Sequence, residues 1–230
     1  MSDQTFTLRP LGDCAATLLF GADIDSALNA RAQAFCAALD AARAPGLREW
    51  APAFASVTLW YDPDLLSFEA LEMFCRDLVL APAPPRAGET HDLPFCAEGD
   101  FAPDLAEVAH ANGLAPRDWL ARFCAVTFDV YMLGFLPGFA YLGGLPRDLD
   151  APRRATPRKN VPERSLAIAD GMCAAYPFAS PGGWRLIGRT PIKLFDADAK
   201  KPALLAPGDR VRWRPVGRDE FLSLEARWRG

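Results

Sequence analysis

Histidine is scarce in this chain of 230 residues. Only His91 and His110 are present, which leaves little room for an imidazole metal site or a nucleophile–histidine relay. Neither stands in a catalytic context: His110 lies in the short helical pattern DLAEVAHANGL, and His91 just precedes an apolar strand-like run. The six cysteines (Cys14, Cys36, Cys75, Cys96, Cys124, Cys173) form no C-x-x-C pair and sit mostly among apolar neighbours. That spacing disfavours a disulfide framework and a zinc site, and reduced, buried thiols are expected. No run of eighteen uncharged apolar residues occurs, and MSDQTFTLRP has neither a basic n-region nor an apolar h-region, so a cytoplasmic protein is expected. Neither a G-K-[ST] phosphate loop nor a G-x-G-x-x-G fingerprint is present. None of the four methionines adjoins a lysine, so there is no biotin-accepting motif. No covalent nucleophile stands out either, because Ser180 precedes a proline with no histidine near in sequence, and Cys173 has no base beside it.

What remains is an ordinary globular composition, half hydrophobic and 23% charged, in a chain long enough for one large domain or two small ones. Charge is unevenly spread. Met1 to Pro85 holds 11 acidic against 5 basic residues, and Arg86 to Gly230 holds 18 against 20. Arg153 to Lys193 carries eight basic residues (Arg153, Arg154, Arg158, Lys159, Arg164, Arg185, Arg189, Lys193) and two acidic ones, Glu163 and Asp170. Such a cluster is either a solvated face or an anion site, since arginine offers a planar fork matched to carboxylate or phosphate. Nucleic acid is disfavoured by the net charge of −4 and by the absence of interleaved aromatics.

The first eighty residues alternate strand and helix patterns. CAATLLF reads as a strand; the following segment has apolar residues at helical spacing through Ala42, with Asp25 or Ser26 as N-cap. LREWAPAFASVTLWYDP reads as a hairpin or two adjacent strands, and SFEALEMFCRDLVL as a helix from Ser67. This order suggests helices on one face of an antiparallel sheet. APAPPRAGET, residues 81–90, reads as a stiff linker, and the domain boundary is placed there, giving residues 1–82 and 83–230. HDLPFCA then begins a strand, two short helical patterns follow, and VTFDVYML, SLAIAD, WRLIG, IKLFD and DRVRWRPV read as strands of a β-barrel or sandwich.

Seven of the seventeen glycines fall in two segments, GFLPGFAYLGGLP and SPGGWRLIGRTP. The first reads as a loop leaving a strand, where binding segments often sit on a rigid scaffold. In the second, Ser180-Pro181-Gly182-Gly183 reads as a tight turn whose exposed amides could hold an anion, helped by Arg189. Phe139, Tyr141 and Trp184 would then form an apolar wall. Alternatively, the aromatics close the barrel and the glycines only turn corners.

Four segments, in order and spacing, carry a resemblance: GFLPGFAYLGGLP, TPRKNVPERSLAIADG, AAYPFASPGGWRLIGRTPIKLFD and LLAPGDRVRWRPV. They resemble the 5-oxoprolinase B-subunit family, also called allophanate hydrolase subunit 1, carboxyltransferase subdomain C and D, or KipI. LGDCAATLLFG, VTLWYDP and FAPDLAEVA extend the likeness over nearly the whole chain. The resemblance implies an α+β protein with a small ferredoxin-like amino-terminal domain and a cyclophilin-like β-barrel. It implies a hydrolase component, inactive alone, that works with an A and a C subunit to open 5-oxoproline to glutamate using ATP, with no metal of its own. A lactam is a poor electrophile, and phosphorylating its oxygen would create a leaving group for attack by water. Gly134, Phe135, Pro137, Gly138, Phe139, Tyr141, Arg158, Ser180, Gly182, Gly183, Trp184, Arg189 and Thr190 are the implied substrate- or anion-binding residues.

Relatives suggest other roles as well: an inhibitor of a sporulation histidine kinase, or a carboxyltransferase-type component acting on urea-derived allophanate. Three departures from the family pattern are expected beside the pocket. Phe123 replaces a usual histidine, Met172-Cys173 a Gln-Thr pair, and Glu163-Arg164 an Ala-Gly pair.

Overall fold

The computed structural model describes residues 6–80 and 88–229. The chain divides into two compact units, Met1–Ala87 and Gly88–Gly230. Most of the proline-rich stretch expected to be a stiff linker, residues 81–87, lies outside the described residues.

The first unit runs β1 (Thr7–Pro10), β2 (Ala15–Leu19), α1 (Ser26–Ala42), β3 (Leu47–Pro52), β4 (Ser56–Tyr61) and α2 (Phe68–Leu80). Its antiparallel sheet has the order β1-β2-β4-β3. Local chemistry starts both helices: Asp25 Oδ1 accepts from the amides of Ala27 (2.8 Å) and Leu28 (3.1 Å), and Ser67 Oγ accepts from Ala70 (3.2 Å). The register Ala16↔Leu59 and Leu18↔Val57 turns these side chains to one face, where Phe35, Leu39, Leu71 and Cys75 of the helices cover them. In a ferredoxin-like βαββαβ unit the fourth strand follows the second helix; here β1, unforeseen in the sequence, stands beside β2 as an edge strand. Its Pro10 is tolerated at an edge.

The second unit runs β5 (Thr90–Phe95), α3 (Leu105–Ala111), α4 (Pro116–Cys124), β6 (Thr127–Leu133), β7 (Ala140–Gly143), β8 (Arg158–Val161), β9 (Ser165–Ala169), β10 (Met172–Ala175), β11 (Ser180–Gly182), β12 (Arg185–Arg189), β13 (Arg210–Pro215) and α5 (Arg218–Arg229). Seven strands form one sheet in the order β12-β9-β10-β7-β6-β13-β5. Its outer strands meet where Cys96 N donates to Arg189 O (2.8 Å) and Arg189 N to Cys96 O (2.9 Å), a bridge that closes the sheet into a barrel. Inside lie Ala140, Leu142, Leu166, Ile168, Cys173, Ala175, Ile187 and Trp213. Helices α3 and α4 bring Val108, Trp119 and Phe123 to the same core.

Several sequence readings change. GFLPGFAYLGGLP is not one loop: its second half is β7, and Gly134–Phe139 is a hairpin tip closed by Gly134 N donating to Phe139 O (3.1 Å). Ser180–Gly182 is a strand paired to β8, with Ser180 opposite Val161, rather than a tight turn with open amides. IKLFD forms only a single bridge, Phe195 to Ala203, and helix α5 is an element the sequence pattern does not announce.

Candidate functional site

Strand alternation builds the site. Because Cys173 and Ala175 point into the barrel, Met172, Ala174 and then Tyr176 turn to its outer face, where Val161 of β8 and Ser180 of β11 are also buried. There Phe139 meets Tyr141 (5.0 Å between ring centroids), Tyr176 (5.2 Å), Phe135 (5.4 Å) and Trp184 (6.0 Å), each edge to face. Tyr141 also meets Trp184 at 5.9 Å. Each such pair contributes roughly 0.5–1.5 kcal/mol beyond area burial, so the sheet of rings is rigid. Phe139, Tyr176 and Trp184 are buried, Tyr141 is half-buried, and Phe135 is 61% exposed at φ 69°. A bulky residue in that region is a backbone outlier.

Two glycines make the arrangement feasible. Gly138 has φ 77°, and a Cβ there would come within 2.7 Å of Phe195. At Gly182 a Cβ would collide with the Tyr176 hydroxyl. Burial pushes that hydroxyl up to about 12, with Arg153 and the Trp184 backbone pulling only partly the other way.

The arginines do not converge as free donors. Asp104, buried just ahead of α3, accepts both arms of the Arg158 fork (2.8 and 2.9 Å), one N–H of Arg154 (3.3 Å) and the Leu186 amide (2.7 Å). Burial alone would push its carboxyl upward; the Arg158 fork, the Leu186 amide and the arginine charges outweigh burial and hold the carboxyl below the usual range. Arg164, at φ 64°, donates to Glu225 of α5 (2.6 Å), Glu163 (3.0 Å) and the Pro191 carbonyl (3.2 Å). Arg185 bonds Glu107 (2.9 Å) and the Pro152 carbonyl. Arg189 donates to the Glu163 carbonyl (3.0 Å) and lies over Phe101. Arg153 differs: its Nε bonds Asp170 (2.8 Å), its guanidinium lies 5.9 Å from the Trp184 ring centre, and its side chain is 58% exposed.

The structure therefore gathers Gly134, Phe135, Pro137, Gly138, Phe139, Tyr141, Gly182, Gly183 and Trp184 around one outer face, with Ser180 buried beneath. Arg158 is beside Gly182 but its fork is committed to Asp104. Arg189 sits at the far end of β12 from Trp184, roughly 15 Å along an extended strand. Thr190 is fully buried, its hydroxyl accepting from the Ile192 amide, and serves the local fold. Sequence reasoning missed Tyr176, Arg153 and Asp104 as shaping residues. Tyr176 had a signal in the AAYP motif; nothing local distinguished Arg153 from its basic neighbours.

The three family departures also resolve by position. Phe123 is core, stacked on Trp119 at 5.1 Å and touching Phe95 and Phe128, so it is not beside the site. Cys173 is inside the barrel and Met172 is buried on the outer face. Arg164 occupies a left-handed conformation, one that suits the glycine the family resemblance implies there. All six cysteines are free thiols; four are buried, Cys124 is partly buried, and Cys14 is exposed, contrary to the buried state expected of it. His91 bonds Asp209 at 3.2 Å, while His110 is exposed. Among the described residues no helix is long and apolar enough to cross a membrane, and no group of metal-ligating side chains is present.

A two-unit α+β chain whose second unit is a cyclophilin-like barrel with an outward aromatic face defines a narrow class. The chain belongs to the family described as carboxyltransferase domain, subdomain C and D, which it matches over residues 6–205. It is 34% identical over 228 residues to the 5-oxoprolinase B subunit of Bacillus subtilis, covering 94% of this chain and 95% of that one. The solved structure of TTHA0988 superposes with a TM-score of 0.76 at 35% identity, covering 88% of this chain but only 40% of that longer one. Urea carboxylase of Kluyveromyces lactis shares the fold, with a TM-score of 0.75 at 20% identity over 97% of this chain and 23% of that enzyme.

Proposed function

We propose that the protein is the B subunit of an ATP-dependent 5-oxoprolinase, hydrolysing 5-oxo-L-proline to L-glutamate together with an A and a C subunit. The observation that carries this reading is the end-to-end similarity to the Bacillus subtilis 5-oxoprolinase B subunit, which spans 94% of this chain and 95% of the relative. The geometry is compatible with it. A rigid aromatic face with an arginine at its rim suits a small, flat, singly charged lactam.

In the chemistry proposed for the complex, ATP phosphorylates the lactam oxygen and leaves as ADP, one water attacks the activated carbonyl carbon and the ring C–N bond opens to give an acyl phosphate, and a second water cleaves that acyl phosphate to glutamate and inorganic phosphate. ATP is a co-substrate here. Most of the arginines near the site are already neutralised by carboxylates, so this chain's share is binding and orienting the lactam rather than holding the phosphates. No nucleophile is assigned to it, and the chain alone is expected to be inactive.

The test is glutamate release from 5-oxo-L-proline, with and without ATP, using this protein mixed with its A and C partners and each component omitted in turn. ATP-dependent glutamate only in the complete mixture is the expected result. Release by the other two components at full rate without this chain would reject the reading.

A further inference from the structure

We propose that Arg153, braced on Trp184 and flanked by Tyr141 and Gly183, is the subsite for the carboxylate of the small planar amide this protein handles. This rests on the 5-oxoprolinase reading and adds the residue that recognises the acid group of the substrate.

The inference starts from how each cation is used. Arg158 spends its fork on buried Asp104, Arg164 on two carboxylates and a carbonyl, and Arg185 on Glu107 and a carbonyl. Arg153 spends one N–H, from Nε, on Asp170, whose own side chain is 48% exposed. Its two terminal amino groups, the pair that matches a carboxylate in a bidentate bond, remain uncommitted among the described residues. Lys159, on the exposed edge of β8, makes no ion pair among the described residues either, but no aromatic ring braces it.

Arg153 is also held in place. The Trp184 ring lies under its guanidinium, and a cation over an indole face is attracted even when partly solvated. Trp184 is itself fixed by Phe139 and Tyr141, so the free edge of the guanidinium starts from a defined orientation. Tyr141 is close enough to feel the Arg153 charge, which partly offsets the rise that burial gives its hydroxyl. Beside them, a Cβ built at Gly183 would find nothing nearer than 3.7 Å, with Pro157 and Arg153 as its neighbours. A ligand can therefore approach the backbone there.

Net charge selects the ligand class. Arg153, Arg154 and Arg158 against Asp104 and Asp170 leave one positive charge. That suits a monocarboxylate, whereas a phosphate dianion would be left under-neutralised.

The experiment compares wild type, Arg153→Gln and Arg153→Lys in the reconstituted complex, with folding checked by thermal unfolding. The expected result is a KM for 5-oxo-L-proline raised tenfold or more by Arg153→Gln, with little change in kcat and partial recovery in Arg153→Lys. An unchanged KM in an active complex overturns the subsite and leaves the 5-oxoprolinase reading standing. If the wild-type complex makes no glutamate, that reading fails, and the subsite is decided by saturation-transfer NMR on the full chain alone. The probes are 5-oxo-L-proline and N-acetylglycine, with pyrrolidin-2-one as the amide lacking a carboxylate. Binding of a carboxylate-bearing probe that Arg153→Gln weakens tenfold, with pyrrolidin-2-one unaffected, supports the subsite; equal binding by both proteins, or none, rejects it.

Discussion

Ser180 lies in β11 with its hydroxyl buried and unpaired. An unsatisfied buried hydroxyl costs about 1–3 kcal/mol, and alanine would leave almost no cavity. Ser180→Ala is therefore expected to raise stability by about 1 kcal/mol, read as a higher urea midpoint at constant slope. Destabilisation would mean that the hydroxyl is satisfied in solution. Asp104 is the opposite case, a buried carboxylate surrounded by donors. Removing its charge strands Arg158 and is expected to cost about 3 kcal/mol in Asp104→Asn at neutral pH. Because the folded state holds this carboxyl below its unfolded value, its contribution is present above about pH 4 and is lost as pH falls through the lower folded value. Urea titrations from pH 7 to 3 should show wild type and Asp104→Asn converging at the acid end; parallel curves would refute the assignment. The sequence singled out Arg158 but could not show that its fork was taken. Asp104 lies far away in sequence, and which carboxylate an arginine finds is settled only by the barrel.

Helix α5 shows what an element can hide. RDEFLSLEARWR has few apolar positions, so no helical stripe stands out, yet Phe221 enters a cluster with Cys96, Phe101 and Val216. Glu225 reaches Arg164 in the turn before β9 at 2.6 Å. The match to the family stops at residue 205, short of this helix. Arg164 thus stands in a glycine-like conformation and gives α5 an ionic anchor there. Glu225→Ala is expected to cost about 2 kcal/mol in the wild type, since Arg164 keeps Glu163 as a partner, and about 1 kcal/mol less than that in an Arg164→Gly background. Additive losses in that double-mutant cycle would show the two residues to be independent. Elsewhere, elements with strong local signals were legible: α1 from Asp25 and its apolar spacing, β9 and β13 from alternation or apolar runs. Strands β7, β8, β10 and β11 were not, because alanine, glycine and proline in β7, β10 and β11, and lysine and asparagine in β8, have weak strand preference and pair only when the sheet supplies partners.

At the scale of the molecule, a second half built of short strands was legible because turn residues punctuate it so regularly, but that pattern fitted a barrel and a sandwich equally, and the family resemblance supplied the barrel. The closure of the barrel was not legible, since the Cys96–Arg189 bridge joins segments far apart in sequence and rests on backbone groups common to all residues. Both units, each with its own core, bury acidic groups that stay neutral. In the first unit burial pushes the Cys75 thiol up to about 12; in the second it pushes Cys124 up to about 11 and holds Cys173 well above the ordinary thiol value. An unfolded thiol ionises near pH 9, so between pH 9 and these folded values the unfolded chain gives up protons that the folded chain keeps. The contribution of these thiols is therefore fully present below about pH 9 and is lost as pH rises toward about 11–12. Cys124, partly accessible at the end of α4, is the one to vary, because alanine there should disturb packing least. Cys124→Ala is expected to soften the alkaline loss by about 1 kcal/mol per pH unit between about pH 9 and 11, measured by urea unfolding at each pH under reducing conditions. An alkaline slope identical to wild type would show that this thiol ionises in the folded protein as readily as in the unfolded chain.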